Sequence, residues 1–414
     1  MTTWLVAQLG ARMHYAVPRI LHSAGMLETL RTDICGGPWA EPLRRLPPGL
    51  LPGSLARLAG RVPHGVPSSR IRSFPRFGIE YAARRAVART PSALTAVHLW
   101  AGSSFCDSIL RAGLGNASAV YTFNSAGLRL LSRARRLGLM TAVEQTLVPA
   151  AVEDALLAEE REAFPDWQPR LARDHNRVAF AARECGEWEC ADLIVCGSEF
   201  VREGIRSRGG PADRAVVVPY GVDAPAPPVV RAHPQRPLRV LTVGAVGLRK
   251  GTPYLLEAAR RLQGAAVFRL VGHITASAAA ARRLADSVEI TGALPRAAIA
   301  QQLAWADVFL LPSICEGSAT VCYEALAAGL PVITTPNAGS VVRHGIDGFV
   351  VPIRDGEAIA ASLDTIRTSP SLLPSLSRNA AIRAREFTLQ KYGERLLAAL
   401  ARIGEPADAL TVRN

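Results

Sequence analysis

The sequence predicts an α/β protein with two doubly wound parallel sheets, an expectation resting on three observations. Short apolar runs suited to buried parallel strands alternate with helical stretches on both sides of a proline-rich segment. The 414 residues exceed what one core fills and fit two domains. The composition, 49% hydrophobic and 20% charged, is that of a globular chain.

Residues 4–9 read as a strand that meets Gly10, and a helical pattern follows Pro18. Residues 40–75 read as a Pro/Gly/Arg-rich loop with a short helix. Runs at 95–100 (TAVHLW), 119–123, 140–144, 192–196 and 215–219 read as buried strands, with helices at 125–137 and within 150–190. Residues 224–237 (APAPPVVRAHPQRP) hold five prolines without periodicity and mark a linker. The alternation then restarts with strands 238–243, 266–271, 288–290, 307–311 and 331–335 and helices 253–263, 296–304 and 319–328. A last helical pattern, 376–403, is long enough to leave the second domain and return to the first. The expected domains are therefore 1–223 and 238–385, Rossmann-like and joined by 224–237, with 386–414 crossing back. Two such sheets face a cleft at the carboxyl ends of their strands, where ligands bind in this architecture.

The net charge of +13 is unevenly placed. Residues 1–143 carry 18 arginines against five acids, while the rest of the chain balances. An anionic membrane surface suits such a half, at about 1 kcal/mol per basic residue near the headgroups. Nucleic acid does not: there is no recognisable module for it and only 6% aromatic residues for base stacking. Seven cysteines without a Cys-x-x-Cys pair argue for reduced thiols rather than disulfides or zinc. No apolar run reaches the length of a membrane span, and the first residues lack the pattern of a secretory signal. The expected location is cytoplasmic, on the inner membrane face where attached.

Two stretches carry chemistry. In VLTVGAVGLRKGTPYLLEAARRL (240–262) a strand meets a glycine-containing turn, then Arg249-Lys250-Gly251, then a helix with Thr252 as its expected N-cap. Glycines let backbone approach a ligand, and the two cations can neutralise a diphosphate. In ADVFLLPSICEGSATVCYEALAAGLPVITT (306–335) a strand ends at Pro312-Ser313, Glu316-Gly317-Ser318 form a loop, and a helix begins near Ala319. Glu316 and Glu324 are eight residues apart, at most about 12 Å along a helix and broadly on one side. Each carboxylate can accept two hydroxyl hydrogen bonds, which suits a vicinal diol. The amides of Ser318, Ala319 and Thr320 should face phosphate or sugar oxygens. An arginine partner for Glu324 is not expected, because its neighbours in TVCYEALAAG are mostly apolar.

Glu316-x7-Glu324, with its flanking PS…EG…EALAAGLPV, resembles the signature of retaining glycosyltransferase family 4, which has the GT-B fold. ADLIVCGSEFVREGI (191–205), VVVPYGVD (216–223), VGAVGLRKG and GSVVRHGIDGFVVP (339–352) extend the resemblance, strongly over 190–400 and in outline over 1–150. The resemblance implies that Glu316 holds donor sugar hydroxyls, Glu324 grips the ribose, and Arg249 and Lys250 neutralise the diphosphate leaving group. It implies a nucleotide diphosphate sugar as donor and a lipid-linked or oligosaccharide hydroxyl as acceptor, with no cofactor. No Asp-x-Asp metal site occurs, so protein cations stand in for a divalent ion.

Further positions are candidates, some by resemblance and others by their place at strand ends or in loops. Gly10 and Arg12 loosely resemble the family's first glycine-rich loop and are expected to line the cleft. Asn124 and Glu144 end candidate strands, where cleft residues belong. His98 reads as a core histidine, while His273 and Leu294 fall in loops expected to select the nucleobase. The family often carries a histidine where this chain has Glu144-Gln145; that departure leaves open a catalytically silent scaffold or nucleotide-sugar sensor.

Overall fold

The computed structural model describes residues 2–36, 60–171, 174–223 and 229–403. The first sheet contains β1 (Trp4–Gln8), β2 (Leu27–Thr32), β3 (Ile71–Ser73), β4 (Ala119–Phe123), β5 (Met140–Gln145), β6 (Leu193–Cys196) and β7 (Ala215–Val217). All of its pairings are parallel, in the order β3-β2-β1-β4-β5-β6-β7. Its helices are α1 (Ala16–Ser23), α2 (Pro75–Val87), α3 (Pro91–Ala112), α4 (Leu128–Arg136), α5 (Ala150–Ala163), α6 (His175–Cys190) and α7 (Glu199–Ser207).

The second sheet contains β8 (Leu238–Val243), β9 (Ala266–Val271), β10 (Val288–Gly292), β11 (Val308–Leu311), β12 (Val332–Thr334) and β13 (Gly348–Val350), in the order β10-β9-β8-β11-β12-β13. Around it lie α8 (Thr252–Arg261), α9 (Ala278–Ala285), α10 (Arg296–Trp305), α11 (Thr320–Ala327), α12 (Gly356–Thr368) and α13 (Leu372–Ala384). The two parallel sheets predicted from the alternating runs are present, with aliphatic residues on β1, β4, β8 and β11 fully buried.

Several expectations are corrected. TAVHLW (95–100) lies inside α3, not in a strand. Thr90 caps that helix at Ala93 N, Pro91 starts it, and Thr95, Ala101, Phe105 and Ile109 form its buried stripe. A six-residue window is too short to reveal that period. The helix after Pro18 stops at Gly25, whose φ is +69°, and the rest of the pattern is β2. β3 and α9 were not expected as elements. Of the linker, 224–228 lie outside the described residues. Beyond them the buried Arg231 guanidinium donates to the carbonyls of Leu303 and Ala306, fixing this stretch to the second domain.

The last helical pattern is broken at 385–388, and the final helix α14 (Leu389–Ala401) crosses back as expected. Its Tyr392, Leu396 and Leu400 share a core with Trp4, Tyr15 and Leu21 of the first domain. The two crossings run side by side: Val222 N–H donates to Phe387 O at 3.0 Å, and a Cβ on Gly221 would lie 2.2 Å from Thr388 O. α5 belongs to the first domain by sequence, yet Leu156, Leu157 and the following Phe164 pack on the core of the second. Among the described residues, no helix is long and apolar enough to cross a membrane.

Candidate functional site

After β8 the chain turns through a short 3-10 segment, Leu248–Lys250, and Gly251, at φ +66°, admits α8. Gly251 rather than Thr252 is the N-cap; the Thr252 hydroxyl instead ties back to both the N–H and the carbonyl of Gly247. This turn presents Lys250 and Arg249 to the loop that follows β11. Lys250 Nζ lies 2.7 Å from Glu316 Oε1, and Arg249 Nη2 lies 3.4 Å from Glu316 Oε2. Arg249 Nε also lies 3.3 Å from Glu153 Oε1, on α5. Burial opposes the charge on Arg249, but Glu316 and Glu153 outweigh it and raise its pKa. Glu316 is 8% exposed, so its charge is held mainly by these cations.

The loop carrying Glu316 forms the seam between the domains. Val148 N–H donates to Glu316 O at 3.2 Å, and the Ser198 hydroxyl donates to Gly317 O. A Cβ on Gly317 would lie 1.9 Å from Thr146 O, so only glycine lets the domains meet here. Ser318 packs structurally, its hydroxyl 2.8 Å from Tyr323 OH and 3.1 Å from Gly339 O. Ala319 is buried and its N–H donates to Ala338 O, so that amide does not face a ligand as expected.

Two cavities flank the seam. One, of about 370 Å³, is lined by Arg12, Asn124, Thr146, Glu153, Glu184 and Arg249 among others. The other, of about 310 Å³, brings Thr320, Glu324 and Arg296 against Ala11, Met13 and His14 of the first domain. Glu324 has the arginine partner that the sequence argued against: Arg296 Nη2 sits 3.1 Å from Oε1. Arg296 comes from the start of α10, 28 residues away, and is 72% exposed, so local neighbours could not reveal it. Burial, with Arg296 opposing it, raises the Glu324 pKa.

The loop after β1 is unusual. Gly10, at φ +72°, donates its N–H to Asp33 Oδ1 at 3.0 Å, and Met13, His14 and Tyr15 all adopt left-handed φ values of 45°, 51° and 60°. Such a conformation costs about 1–2 kcal/mol per residue. It holds His14 over the cavity beside Glu324, where burial and then Arg296 and Arg19 lower the imidazole pKa.

Other predicted residues are placed differently. Asn124 lines the first cavity but is already engaged by Thr146 and Glu184. Glu144 is fully buried, lines neither cavity, and accepts from Tyr121 OH at 2.6 Å and Tyr220 OH at 2.8 Å; burial raises its pKa. The neighbouring Gln145 accepts from Trp188 and donates to Glu184. Both residues of the Glu144-Gln145 departure are thus engaged in buried hydrogen bonds. His273 is exposed and Leu294 packs against the second-domain core, and neither lines these two cavities. His98, expected in a core, is half-buried on α3 at the edge of the first cavity. Glu153, Arg177, Glu184, Arg19 and Arg296 were not singled out, because each enters the cleft from a helix whose sequence gives no cleft signal.

Two facing Rossmann-like domains with a helix crossing back define a GT-B protein. Solved structures share that architecture over nearly the whole chain: the sucrose-phosphate synthase of Thermosynechococcus elongatus (TM-score 0.65, 17% identity, covering 97% of this chain and 99% of that one) and Anabaena HepE in complex with UDP (TM-score 0.60, 14% identity, covering 97% and 100%). The family model Glycosyl transferases group 1 matches residues 237–368, within the second domain. The chain is 29% identical over 189 residues to the amylovoran biosynthesis glycosyltransferase AmsK of Erwinia amylovora, covering 42% of this chain and 46% of that one. It is 26% identical over 254 residues to the lipopolysaccharide core biosynthesis glycosyltransferase LpsE of Rhizobium meliloti, covering 57% and 74%. The alignment spans about half the length of AmsK.

Proposed function

We propose that the chain is a nucleotide-sugar-dependent glycosyltransferase. It would move a hexose, with retention of configuration, to a hydroxyl of a lipid-linked or oligosaccharide acceptor in surface polysaccharide or glycolipid synthesis. The observation that carries this reading is the cluster of Lys250, Arg249 and Glu316 at the seam, with Glu324 on the helix beyond. As the glycosidic bond breaks, charge develops on the diphosphate, and Lys250 and Arg249 are preorganised cations at that place. Glu316 holds both cations and offers its second lone pairs to sugar hydroxyls. Glu324 exchanges Arg296 for a ribose diol. With both cations on the leaving-group side, the departing phosphate is the base nearest an acceptor hydroxyl that attacks from the same face.

The relatives named for amylovoran and lipopolysaccharide core synthesis support a polysaccharide or glycolipid product. UDP in the HepE structure makes UDP-sugars the first donors to test. Attachment to an anionic inner-leaflet surface is supported by α2, which exposes Ile79 (63%) and Val87 (71%) beside Arg84 and Arg85. Co-sedimentation with anionic vesicles should then weaken with salt. The function itself is tested by thermal shift across UDP-, GDP-, ADP- and dTDP-sugars, followed by turnover of the stabilising donor. Lys250→Ala should lower kcat by about 100-fold or more, as loss of an oxyanion-stabilising group does. Unchanged turnover would remove the site assignment.

A further inference from the structure

The cavity beside Arg249 does not stand alone. A larger one, of about 660 Å³, shares His98, Glu153 and Arg177 with it as common wall. Beyond that junction the walls are largely apolar: Leu94 on α3, Ala151 and Leu157 on α5, Val178 and Ala181 on α6. The acids at its rim are already engaged. Glu153 and Asp154 lie 3.1 and 2.7 Å from Arg177 Nη2, while Asp174 accepts from Ser92 and caps α6. Arg161, also in the wall, is different. It is half-buried, burial lowers its pKa against the pull of the nearby Asp154 and Glu153, and its side chain makes no hydrogen bond or ion pair among the described residues.

We infer that these joined cavities form the acceptor site for an amphiphile, in which a hydrocarbon chain lies between α3, α5 and α6, an anionic phosphate linker meets Arg161, and the sugar reaches Arg249 and Glu316. Apolar walls gain nothing from a free saccharide, whereas each CH₂ withdrawn from water contributes about 0.8 kcal/mol. A half-buried guanidinium with no carboxylate in salt-bridge contact among the described residues favours an anion at that depth. Continuity with the cluster at the seam sets the order of chain, phosphate and sugar. This rests on the glycosyltransferase reading and selects the lipid-linked acceptor over the free oligosaccharide.

Binding to the full chain tests it without requiring turnover. The probes are farnesyl diphosphate, farnesol and inorganic diphosphate, titrated calorimetrically with and without saturating UDP. Farnesyl diphosphate should bind at least tenfold more tightly than either fragment, and UDP should not displace it. Ala181→Trp, which fills the groove, and Val178→Asp, at its exposed lip, should each weaken it at least tenfold. Arg161→Gln should abolish the preference over farnesol. Equal binding by inorganic diphosphate, displacement by UDP, or indifference to both groove variants overturns the inference. Sugar transfer by a chain that binds none of the probes overturns it too, while leaving the glycosyltransferase reading intact. Probe binding as described by a chain that transfers no sugar keeps the amphiphile site and removes that reading.

Discussion

Glu324 is held by one exposed arginine, and that makes its role separable by experiment. If the carboxylate grips a ribose, Glu324→Ala should raise the KM of the nucleotide sugar about 10- to 100-fold with a small change in kcat, the pattern of lost ground-state binding. If Glu324 serves only its pair with Arg296, 3.1 Å away, then Glu324→Ala and Arg296→Ala should lower thermal stability alike and leave KM unmoved. Glu187 supplies a second test at this scale. Burial pushes its carboxyl up to about 8 from an ordinary 4.5, although the amides of Gly127 and Ser125 donate to it. Because the folded pKa lies above the unfolded one, its stabilising contribution is fully present below about pH 4.5 and is lost as pH rises through about 8. Stability relative to Glu187→Gln should therefore fall across that window, by up to about 1.4 kcal/mol per pH unit, in denaturant titrations. A pH-independent difference would place the proton elsewhere. The cluster at the seam was legible in sequence because Arg249, Lys250, Glu316 and Glu324 lie in two short motifs. Glu153 and Arg296 were not, because only tertiary packing brings them to those motifs.

Elements whose signal is local were readable, and the errors have local causes. Strands such as 119–123 and 238–243 are short, mostly apolar and bounded by turns, so their bounds coincide with the prediction. TAVHLW looks the same over six residues and belongs to a 22-residue helix, because the period that separates the two needs a longer window. The turn before α8 is a sharper case, since its geometry depends on one glycine. Gly251 combines φ +66° with a Cβ position 1.9 Å from Pro312 O. Gly264 has φ +79° and nothing within 4 Å of that position. Gly264→Ala should therefore cost only the left-handed backbone term, about 1–2 kcal/mol. Gly251→Ala should cost more, with the melting temperature falling about 2–4 °C for each kcal/mol. It should also weaken donor binding, because the displaced turn carries Lys250. Equal melting shifts and unchanged donor affinity would show that the contact with Pro312 does not set the turn.

At the scale of the whole molecule, the boundary between domains in sequence is not the boundary between cores. α5 lies between β5 and β6 of the first sheet, but its Glu160 is fully buried against the second domain. Arg354 Nε sits 2.5 Å from Glu160 Oε1, and Tyr254 OH donates to Oε2 at 3.1 Å. Arg354 Nη1 also reaches Glu159 at 2.6 Å. Nothing in the linear pattern could announce a pair separated by 194 residues. A buried carboxylate that loses its cation keeps the desolvation cost without the attraction, which destabilises a protein by about 3–5 kcal/mol. The Arg354 side chain is 31% exposed, so Arg354→Met should fall at the low end, about 3 kcal/mol. Because α5 also supplies Glu153 to Arg249, the same variant should reduce transfer activity although it lies away from the cleft. Glu160→Leu combined with Arg354→Met removes the stranded charge and should restore most of the stability. Calorimetry distinguishes the outcomes: the single variant should split one unfolding transition into two as the domains uncouple, and the double variant should rejoin them. A single variant that unfolds in one unshifted transition would mean that α5 is held by its apolar face alone.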